Sequence, residues 1–463
     1  MTAFLTSTLD RLTDLGERTA LLAGTRTRTY REVVESCYRY ARALQEAGLR
    51  RGDGLVLVSR NPIEMYSLGL AVQLLGIRYT PVFAGQPLDR LRHIVADVRA
   101  EAVVTDGDLP LNGIPLAELT AGAEQLSAEP VPVQAREGDI ARVLYTGGTT
   151  GMPKGAAFTH EALANAGRAW AGNPPPPGLR FLAMTPLAHA GGAAAFGLLP
   201  YGVEVEIFDE FDAAGLCRAI GAAARRHGLV TTYLYPSLLY RLLDHPDLPD
   251  TDLTGLAWLA YGSAPVLPER VEQAVRILGP RLRQSYAQTE AIAICALGPD
   301  DHAAAARGRP ELFASAGRAL PGVGVQIRDG EVCVSGPTVM EGYWRRPDLD
   351  AEVLAGGVLR TGDLGRLDDE GYLYLEGRAA DHRSAKIEAA LTALPEIGEA
   401  VVLEDGDGLL AVCRVVAEPS AQLRERVRSL TQARVEFVDE LPYAAYGKPD
   451  KEAIRARFAL GGS

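Results

Sequence analysis

The stretch Tyr145-Thr-Gly-Gly-Thr-Thr-Gly-Met-Pro-Lys-Gly-Ala-Ala-Phe-Thr-His160 decides how the rest of this chain is read. An apolar run over 140–145 leads into it with strand character, and a second short apolar strand follows Lys154. Between them stand Thr146, Gly147, Gly148, Thr149, Thr150 and Gly151. Glycines let backbone N–H groups turn inward around an anion, and threonine hydroxyls add donors without bulk. Lys154 supplies a mobile positive charge at the end of the loop. That composition suits a polyphosphate and points to ATP. Read alone, the run also fits an ordinary glycine-rich turn between strands.

The loop is not of the Walker type, because Pro153 precedes Lys154 and Gly155 follows it where Gly-Lys-Ser/Thr is needed. No dinucleotide fingerprint follows a strand either; Gly322-Val-Gly324 lacks the third glycine.

At 463 residues the chain is too long for one core, and two or three domains are expected. A hydrophobic content of 47% with 23% charged residues describes an ordinary globular composition. The formal charge of −12 argues against nucleic acid or an anionic membrane as the main partner, while leaving room for local positive charge at a nucleotide. Cys37, Cys217, Cys295, Cys333 and Cys413 are scattered without a Cys-x-x-Cys pair, so they are expected to be small buried apolar residues in a reducing compartment. Residues 1–20 carry Asp10 and Asp14 and lack a basic region followed by an apolar core. No long apolar run occurs, and the expectation is a cytoplasmic protein without a membrane span.

Alternating helix and strand patterns fill the first 300 residues. The spacing predicts helices over 30–47 and 62–75, and strands over 54–59, 79–83, 102–105, 181–184, 203–208 and 231–235. Strands separated by helices imply parallel sheets covered on both faces. Pro174 to Pro177 must be an irregular surface loop, expected near the phosphate site. From Gly324 the pattern becomes short strands and turns, with Asp329-Gly330 as a hairpin signal between 325–328 and 331–335. A last boundary near residues 378–383 precedes a small α/β segment with a helix over 386–394 and a strand over 400–404.

Four further segments carry chemistry. In Tyr261-Gly262-Ser263-Ala264-Pro265, small residues after an apolar strand would let a flat ring approach the backbone; alone this is a weak sign, equally a structural turn. In Tyr286-Ala287-Gln288-Thr289-Glu290, Tyr286 can stack on a base, Thr289 can bond a phosphate, and Glu290 can hold Mg²⁺ bridging ATP oxygens. In Leu359-Arg-Thr-Gly-Asp363, continuing to Arg378, a carboxylate in a tight turn can accept from both ribose hydroxyls, and Arg378 would reach ribose or phosphate. Asp368-Asp-Glu-Gly371 reads as a hairpin turn rather than a metal site. Leu441-Pro-Tyr-Ala-Ala-Tyr-Gly-Lys448-Pro-Asp-Lys451 places a lysine after a glycine, which by itself is only a turn.

Taken in this order, the loop at 145–160 and these segments resemble the motifs of the adenylate-forming superfamily of acyl-CoA synthetases, luciferases and peptide-synthetase adenylation domains. The resemblance is greatest to acyl-CoA synthetase-like enzymes and runs from Thr29-Tyr30 to Asp450. It implies an α/β adenylate-forming fold: a large N-terminal core over 1–380, of two helix-covered sheets and a β-rich subdomain at about 315–380, then a small mobile α+β lid over 382–463 hinged near Asp381. It implies ATP and Mg²⁺, with Thr146 to Gly151 and Lys154 on the phosphates, Thr149 taking a catalytic part, Gly262 to Pro265 lining adenine, Tyr286 to Thr289 on the nucleotide, Glu290 on the metal, and Asp363 and Arg378 on the ribose side. Lys448 would swing in to stabilise charge on the α-phosphate and the attacking acid oxygen. His189, read alone a wall or core histidine, would face the acid and acceptor substrate with Ala190, Gly191, Tyr233 and Tyr235.

Two departures narrow the expectation. Family members follow Gly-Arg-x-x-Asp with a glycine-rich hairpin that lines the tunnel for the pantetheine thiol; here Gly377-Arg-Ala-Ala-Asp381 passes through His-Arg-Ser-Ala-Lys386 directly into Ile387-Glu388. The acceptor is therefore open between CoA or a carrier thiol and a small nucleophile such as an amine, including a nitrite-activating diazotase; a non-catalytic nucleotide-binding relative is a further alternative. Enzymes that adenylate α-amino acids place an aspartate where Ala190 stands, so an aromatic or unsaturated acid in a mostly apolar pocket is expected instead. Ala287 replaces the glycine of the family's aromatic-Gly-x-Thr-Glu pattern.

Overall fold

The computed structural model describes the chain apart from residues 1, 108, 147–151, 172–173, 379–381, 393, 395, 406–407, 417, 432, 444–448 and 459–463. Three sheets organise it. In the first, the strands Thr19–Ala23, Glu204–Ile207, Leu179–Ala183, Leu229–Leu234, Leu256–Gly262 and Leu282–Tyr286 lie side by side in parallel. From Leu282–Tyr286 the sheet continues antiparallel through Cys295–Leu297, Ser315–Ala319, Tyr372–Arg378, Val358–Leu367, Glu331–Ser335 and Gly324–Arg328. The β-rich stretch thus extends one edge of the large sheet, fourteen strands in all. Asp329 and Gly330 both take positive φ at the expected hairpin, and Asp368 closes the other turn by accepting from the Gly371 N–H through its carbonyl.

The second sheet has seven strands, ordered Gly342–Tyr343, Gly155–Thr159, Ile140–Tyr145, Arg78–Phe83, Gly54–Ser59, Ala102–Thr105 and Ile114–Pro115. Gly54–Ser59 and Arg78–Phe83 are buried along their whole length, as parallel strands covered on both faces must be. The expected helix at 30–47 runs Tyr30–Glu46, started by a capping box between Thr29 and Glu32; that at 62–75 runs Met65–Leu74. Residues 174–177 are irregular, and the five cysteines are buried and unbonded.

The third sheet, Ile397–Asp405, Gly408–Val415 and Arg434–Val438, belongs to the C-terminal segment with the helices His382–Thr392, Ala421–Thr431 and Lys451–Phe458. It has its own apolar core, including Leu391, Val402, Ala411 and Val427. Its first helix begins at His382, ahead of the expected 386, so only residues 379–381 join it to the strand ending at Arg378. Among the described residues, two ion pairs tie this segment to the rest: Glu452 with Arg90 at 2.8 Å, and Arg414 with Asp244 at 3.6 Å. No described helix is long and apolar enough to cross a membrane.

Candidate active site

The chemistry-bearing segments gather at the carboxyl ends of parallel strands, where open α/β sheets place their ligands. Ser263 follows the strand Leu256–Gly262, and Ala287 to Glu290 follow Leu282–Tyr286. These two strand ends touch: a Cβ on Gly262 would lie 2.3 Å from the carbonyl oxygen of Ser285, so only glycine fits there. Ser263 holds a left-handed φ of 66°, a strained conformation for a residue with a side chain, and shares a 2.7 Å hydrogen bond with the Tyr233 hydroxyl. Ala264 is half-buried and Pro265 exposed beside it.

Asp363 is the centre of a hydrogen-bonded cluster. Its Oδ2 accepts from the Tyr286 hydroxyl at 2.7 Å and from Gln288 Nε2 at 2.6 Å, and its Oδ1 accepts from Arg378 Nε at 3.1 Å. The strand register sets Arg378 opposite Asp363, and the Thr361 hydroxyl holds the Asp363 N–H at 3.1 Å. Asp363 is buried, whereas the Arg378 side chain is 60% exposed, so the arginine is the partner most easily exchanged for a ligand. Burial and the nearby Asp363 carboxylate push the Tyr286 phenol far above its usual range, which keeps it a donor. The Tyr286 ring packs in a core with Ile294 and Leu373.

A tight turn separates Gln288, beside Asp363, from Glu290. Gln288 N–H donates to the Ala291 carbonyl at 2.9 Å, and Ala291 N–H returns to the Gln288 carbonyl at 3.2 Å. This sends Gln288 toward Asp363 while Glu290 turns toward Tyr343, with half-buried Thr289 between them. Glu290 Oε1 accepts from the Tyr343 hydroxyl at 2.7 Å.

The glycine-threonine loop joins two antiparallel strands, so no helix N-terminus begins at its end. Its base is closed by Thr146 N–H to the Lys154 carbonyl at 2.9 Å and by Lys154 N–H to Thr146 Oγ1 at 3.1 Å. The Thr146 hydroxyl accepts there and keeps its own proton for another partner. Lys154 Nζ lies 5.3 Å from the centroid of the Tyr343 ring. His93, on the helix Leu88–Val98, reaches the Pro153 carbonyl at 3.1 Å.

Tyr233 and Tyr235 are buried and meet edge to face at 6.1 Å. His189 is half-buried at the start of the helix Ala190–Leu198. The segment before it is pressed against the first turn of that helix: a Cβ on Gly191 would lie 2.0 Å from Thr185 Oγ1, and one on Gly192 would lie 1.8 Å from the Leu187 carbonyl. Asn61 fixes its position, accepting from Leu187 N–H at 2.9 Å and donating to the Phe208 carbonyl at 3.1 Å.

The structure thus brings Tyr286, Gln288, Asp363 and Arg378 into one cluster, Glu290 and Lys154 into a second, and Tyr233 with Ser263 into a third. Gly147, Gly148, Thr149, Thr150, Gly151, Asp381 and Lys448 lie outside the described residues. Sequence reading did not find Asn61, His93 or Tyr343. Their parts arise from pairings across distant segments, and only the run Gly342-Tyr-Trp344 offered a local sign, a glycine beside two aromatics.

Residues 10–344 match the family described as AMP-binding enzyme. The chain is 31% identical to 2-succinylbenzoate–CoA ligase of Geobacillus kaustophilus, over 93% of both proteins, and 32% identical to the medium/long-chain-fatty-acid–CoA ligase FadD8 of Mycobacterium tuberculosis, over 82% of this chain and 72% of that protein. The solved amide bond synthetase McbA of Marinactinospora thermotolerans superposes with a TM-score of 0.80 at 31% identity, covering 98% of this chain and 100% of that one. ATP-bound MatB of Rhodopseudomonas palustris shares the fold, with a TM-score of 0.83 at 24% identity over 97% of this chain and 98% of that one. On these similarities the chain belongs to the AMP-binding enzyme family, within the adenylate-forming superfamily, as an acyl-CoA synthetase-like ligase.

Proposed function

We propose that this ligase activates a carboxylic acid with ATP and passes the acyl group to an amine, forming an amide. The observation that carries the acceptor assignment is the join between Arg378 and the helix His382–Thr392, which is three residues long. Three residues span at most about 10 Å. They leave no chain for the glycine-rich hairpin that would line a pantetheine tunnel. The similarity to an amide bond synthetase along nearly the whole chain supports the same reading.

In the first step a carboxylate oxygen attacks the α-phosphorus in line, the bond to the β-phosphate oxygen breaks, and pyrophosphate leaves. Lys154 and the loop 146–151 hold the β- and γ-phosphates. Asp363 holds the ribose hydroxyls; with three acceptor positions already used and a carboxylate offering about four, Arg378 must release one as the nucleotide enters. Lys448 stabilises the charge that develops on the α-phosphate. Its flanks support that place: Tyr443 and Pro449 pair, and Glu452 binds Arg90 on the same helix whose His93 touches Pro153. In the second step the amine nitrogen attacks the acyl carbon, AMP leaves, and one N–H proton passes to solvent.

Mg²⁺ fits the donor set. Among the described residues no group of three or more His, Cys, Asp or Glu side chains could hold a metal alone. A single half-buried carboxylate beside a phosphate loop is what an ion sharing its coordination with nucleotide oxygens requires. When bound, Mg²⁺ neutralises charge on the phosphates, and Glu290 is the residue that would hold it. Tyr233, Tyr235 and Met184, which share one apolar cluster with Ala190 and Phe196 packed against it, are the residues that would face the acid, and they suit an aromatic or unsaturated one.

Incubation with ATP, Mg²⁺ and a panel of aromatic and aliphatic acids, with an amine or with CoA, tests this by mass spectrometry of the products. Amide with AMP and pyrophosphate, and no thioester, is the expected result. A thioester would overturn the amine assignment, and turnover of nitrite with an aromatic amine in place of a carboxylic acid would assign the diazotase reaction instead.

A further inference from the structure

The segment 339–344 crosses from the large sheet to the second sheet and ties two motifs that are far apart in sequence. On one side Met340 N–H donates to the Glu290 carbonyl at 2.9 Å, and Val339 bridges Ala291. On the other, Tyr343 pairs with Ala156, Glu341 N–H donates to the Ala157 carbonyl at 2.9 Å, and Trp344 N–H to the Gly155 carbonyl at 2.6 Å. This strap therefore fixes the backbone of the metal-side carboxylate relative to the strand that leaves the phosphate loop. Tyr343 is itself pinned, its N–H donating to Asp350 Oδ1 at 2.6 Å. Trp344 beside it donates to the Val98 carbonyl at 3.2 Å and carries the Arg78 guanidinium 4.2 Å from its ring centroid.

The geometry points to Tyr343 as a positioning residue for the adenylation step, its hydroxyl orienting the Glu290 carboxylate and its ring face seating the Lys154 ammonium. The inference rests on the roles of Glu290 and Lys154 given under Proposed function. Two opposite charges meant for different parts of one ligand tend to pair with each other when the ligand is absent, and such a pair must be broken on binding. Here each has another partner. The Tyr343 O–H occupies one lone pair of Oε1 at 2.7 Å, leaving Oε2 and the remaining Oε1 lone pair for a cation. The ammonium lies 5.3 Å from the centroid of the same ring, and among the described ion pairs Lys154 and Glu290 do not meet. A tyrosine can do both because its ring attracts a cation through the face while its hydroxyl donates at the edge. Phenylalanine would keep only the first interaction, and leucine neither.

Calorimetric titration with α,β-methylene-ATP, which cannot release pyrophosphate, separates these functions when it is run in Mg²⁺ and again in EDTA. Tyr343→Phe is expected to leave the EDTA affinity within about twofold of wild type and to weaken the Mg²⁺ affinity about 10- to 150-fold, the size of one lost hydrogen bond to a charged group. Tyr343→Leu is expected to add an EDTA loss of about three- to fivefold, from the lost cation–ring contact. In a Glu290→Gln background, Tyr343→Phe is expected to have no further effect on the advantage conferred by Mg²⁺. Retention of the full Mg²⁺ advantage by Tyr343→Phe would overturn the inference. So would an equal loss in both buffers with a lowered unfolding midpoint, the mark of a merely structural residue. If wild type itself binds no better in Mg²⁺ than in EDTA, the assignment of Glu290 to the metal is what fails, and the inference falls with it.

Discussion

Replacing Asp363 by alanine tests the ribose-side cluster directly. Two ribose hydroxyls donating to a carboxylate contribute about 1.5–3 kcal/mol each. Against this, Arg378 must give up its 3.1 Å bond, a loss of no more than about 1 kcal/mol for so exposed a side chain. The net contribution is about 2–5 kcal/mol, so the nucleotide dissociation constant should rise by roughly 30-fold to several-thousand-fold. Stability should fall less, by about 1–3 kcal/mol, because Tyr286 loses its acceptor while Gln288 keeps the Thr361 carbonyl at 3.1 Å. The assay is calorimetry with α,β-methylene-ATP and its 3′-deoxy analogue on both proteins, with circular dichroism to show that the variant is folded. Wild type should lose at least about tenfold for the missing hydroxyl, and Asp363→Ala less than about threefold. A folded variant that binds within threefold of wild type, or that pays the same deoxy penalty, would refute the ribose assignment.

Lys448→Ala should reduce acid-dependent pyrophosphate exchange by about two to three orders of magnitude while nucleotide affinity changes little, as read by exchange kinetics beside calorimetry. Glu452→Ala, whose side chain is 57% exposed, should lower stability by less than about 1 kcal/mol in urea unfolding and slow adenylation no more than about fivefold. Gly192→Ala drives a methyl into the Leu187 carbonyl and should destabilise by about 1–3 kcal/mol in urea unfolding, with the acid KM raised. Burial lowers the His160 pKa to about 4, opposed in part by the Asp139 carboxylate, so the unfolded chain binds the extra proton between there and about 6.5. This contribution is complete above about 6.5 and lost as pH falls; urea midpoints at pH 7.5 and 5 should show a loss of about 2 kcal/mol in wild type that His160→Gln does not share.

Local pattern carried the elements that local physics controls. Gly54–Ser59 stands where its apolar run placed it, and Asp329-Gly330 makes its hairpin because both residues tolerate positive φ. The segments around Thr146, Tyr286 and Asp363 stood out in the sequence because each gathers particular residue types close together, and the structure brings Tyr286 and Asp363 into a 2.7 Å hydrogen bond. What could not be read is what is built between segments. Tyr343 looks like any aromatic in an edge strand until Gly342–Tyr343 is seen paired with Ala157 and Ala156. Asn61 is an ordinary loop asparagine until its amide is found joining Leu187 to Phe208. The first helix of the C-terminal segment begins at His382 rather than at the expected 386, four residues closer to the strand that ends at Arg378 than its apolar pattern suggested.

That missing hairpin and the strap at 339–344 bear on the two halves of the proposed reaction in opposite ways. Adenylation needs charges held in place before the nucleotide arrives, because each rearrangement at the moment of reaction adds to the barrier; the strap supplies this through backbone hydrogen bonds to both Glu290 and the strand after Lys154. Thiol transfer in the family needs the reverse, a hinge that carries a glycine-rich hairpin into the site. On the proposed reading this chain keeps the first device and has no residues for the second, and the ion pairs of Glu452 with Arg90 and of Arg414 with Asp244 hold the last domain against the body on two sides. An amine needs no pantetheine tunnel. It can reach the acyl carbon from solvent once pyrophosphate has left, so the shorter join removes a motion that this second step does not require.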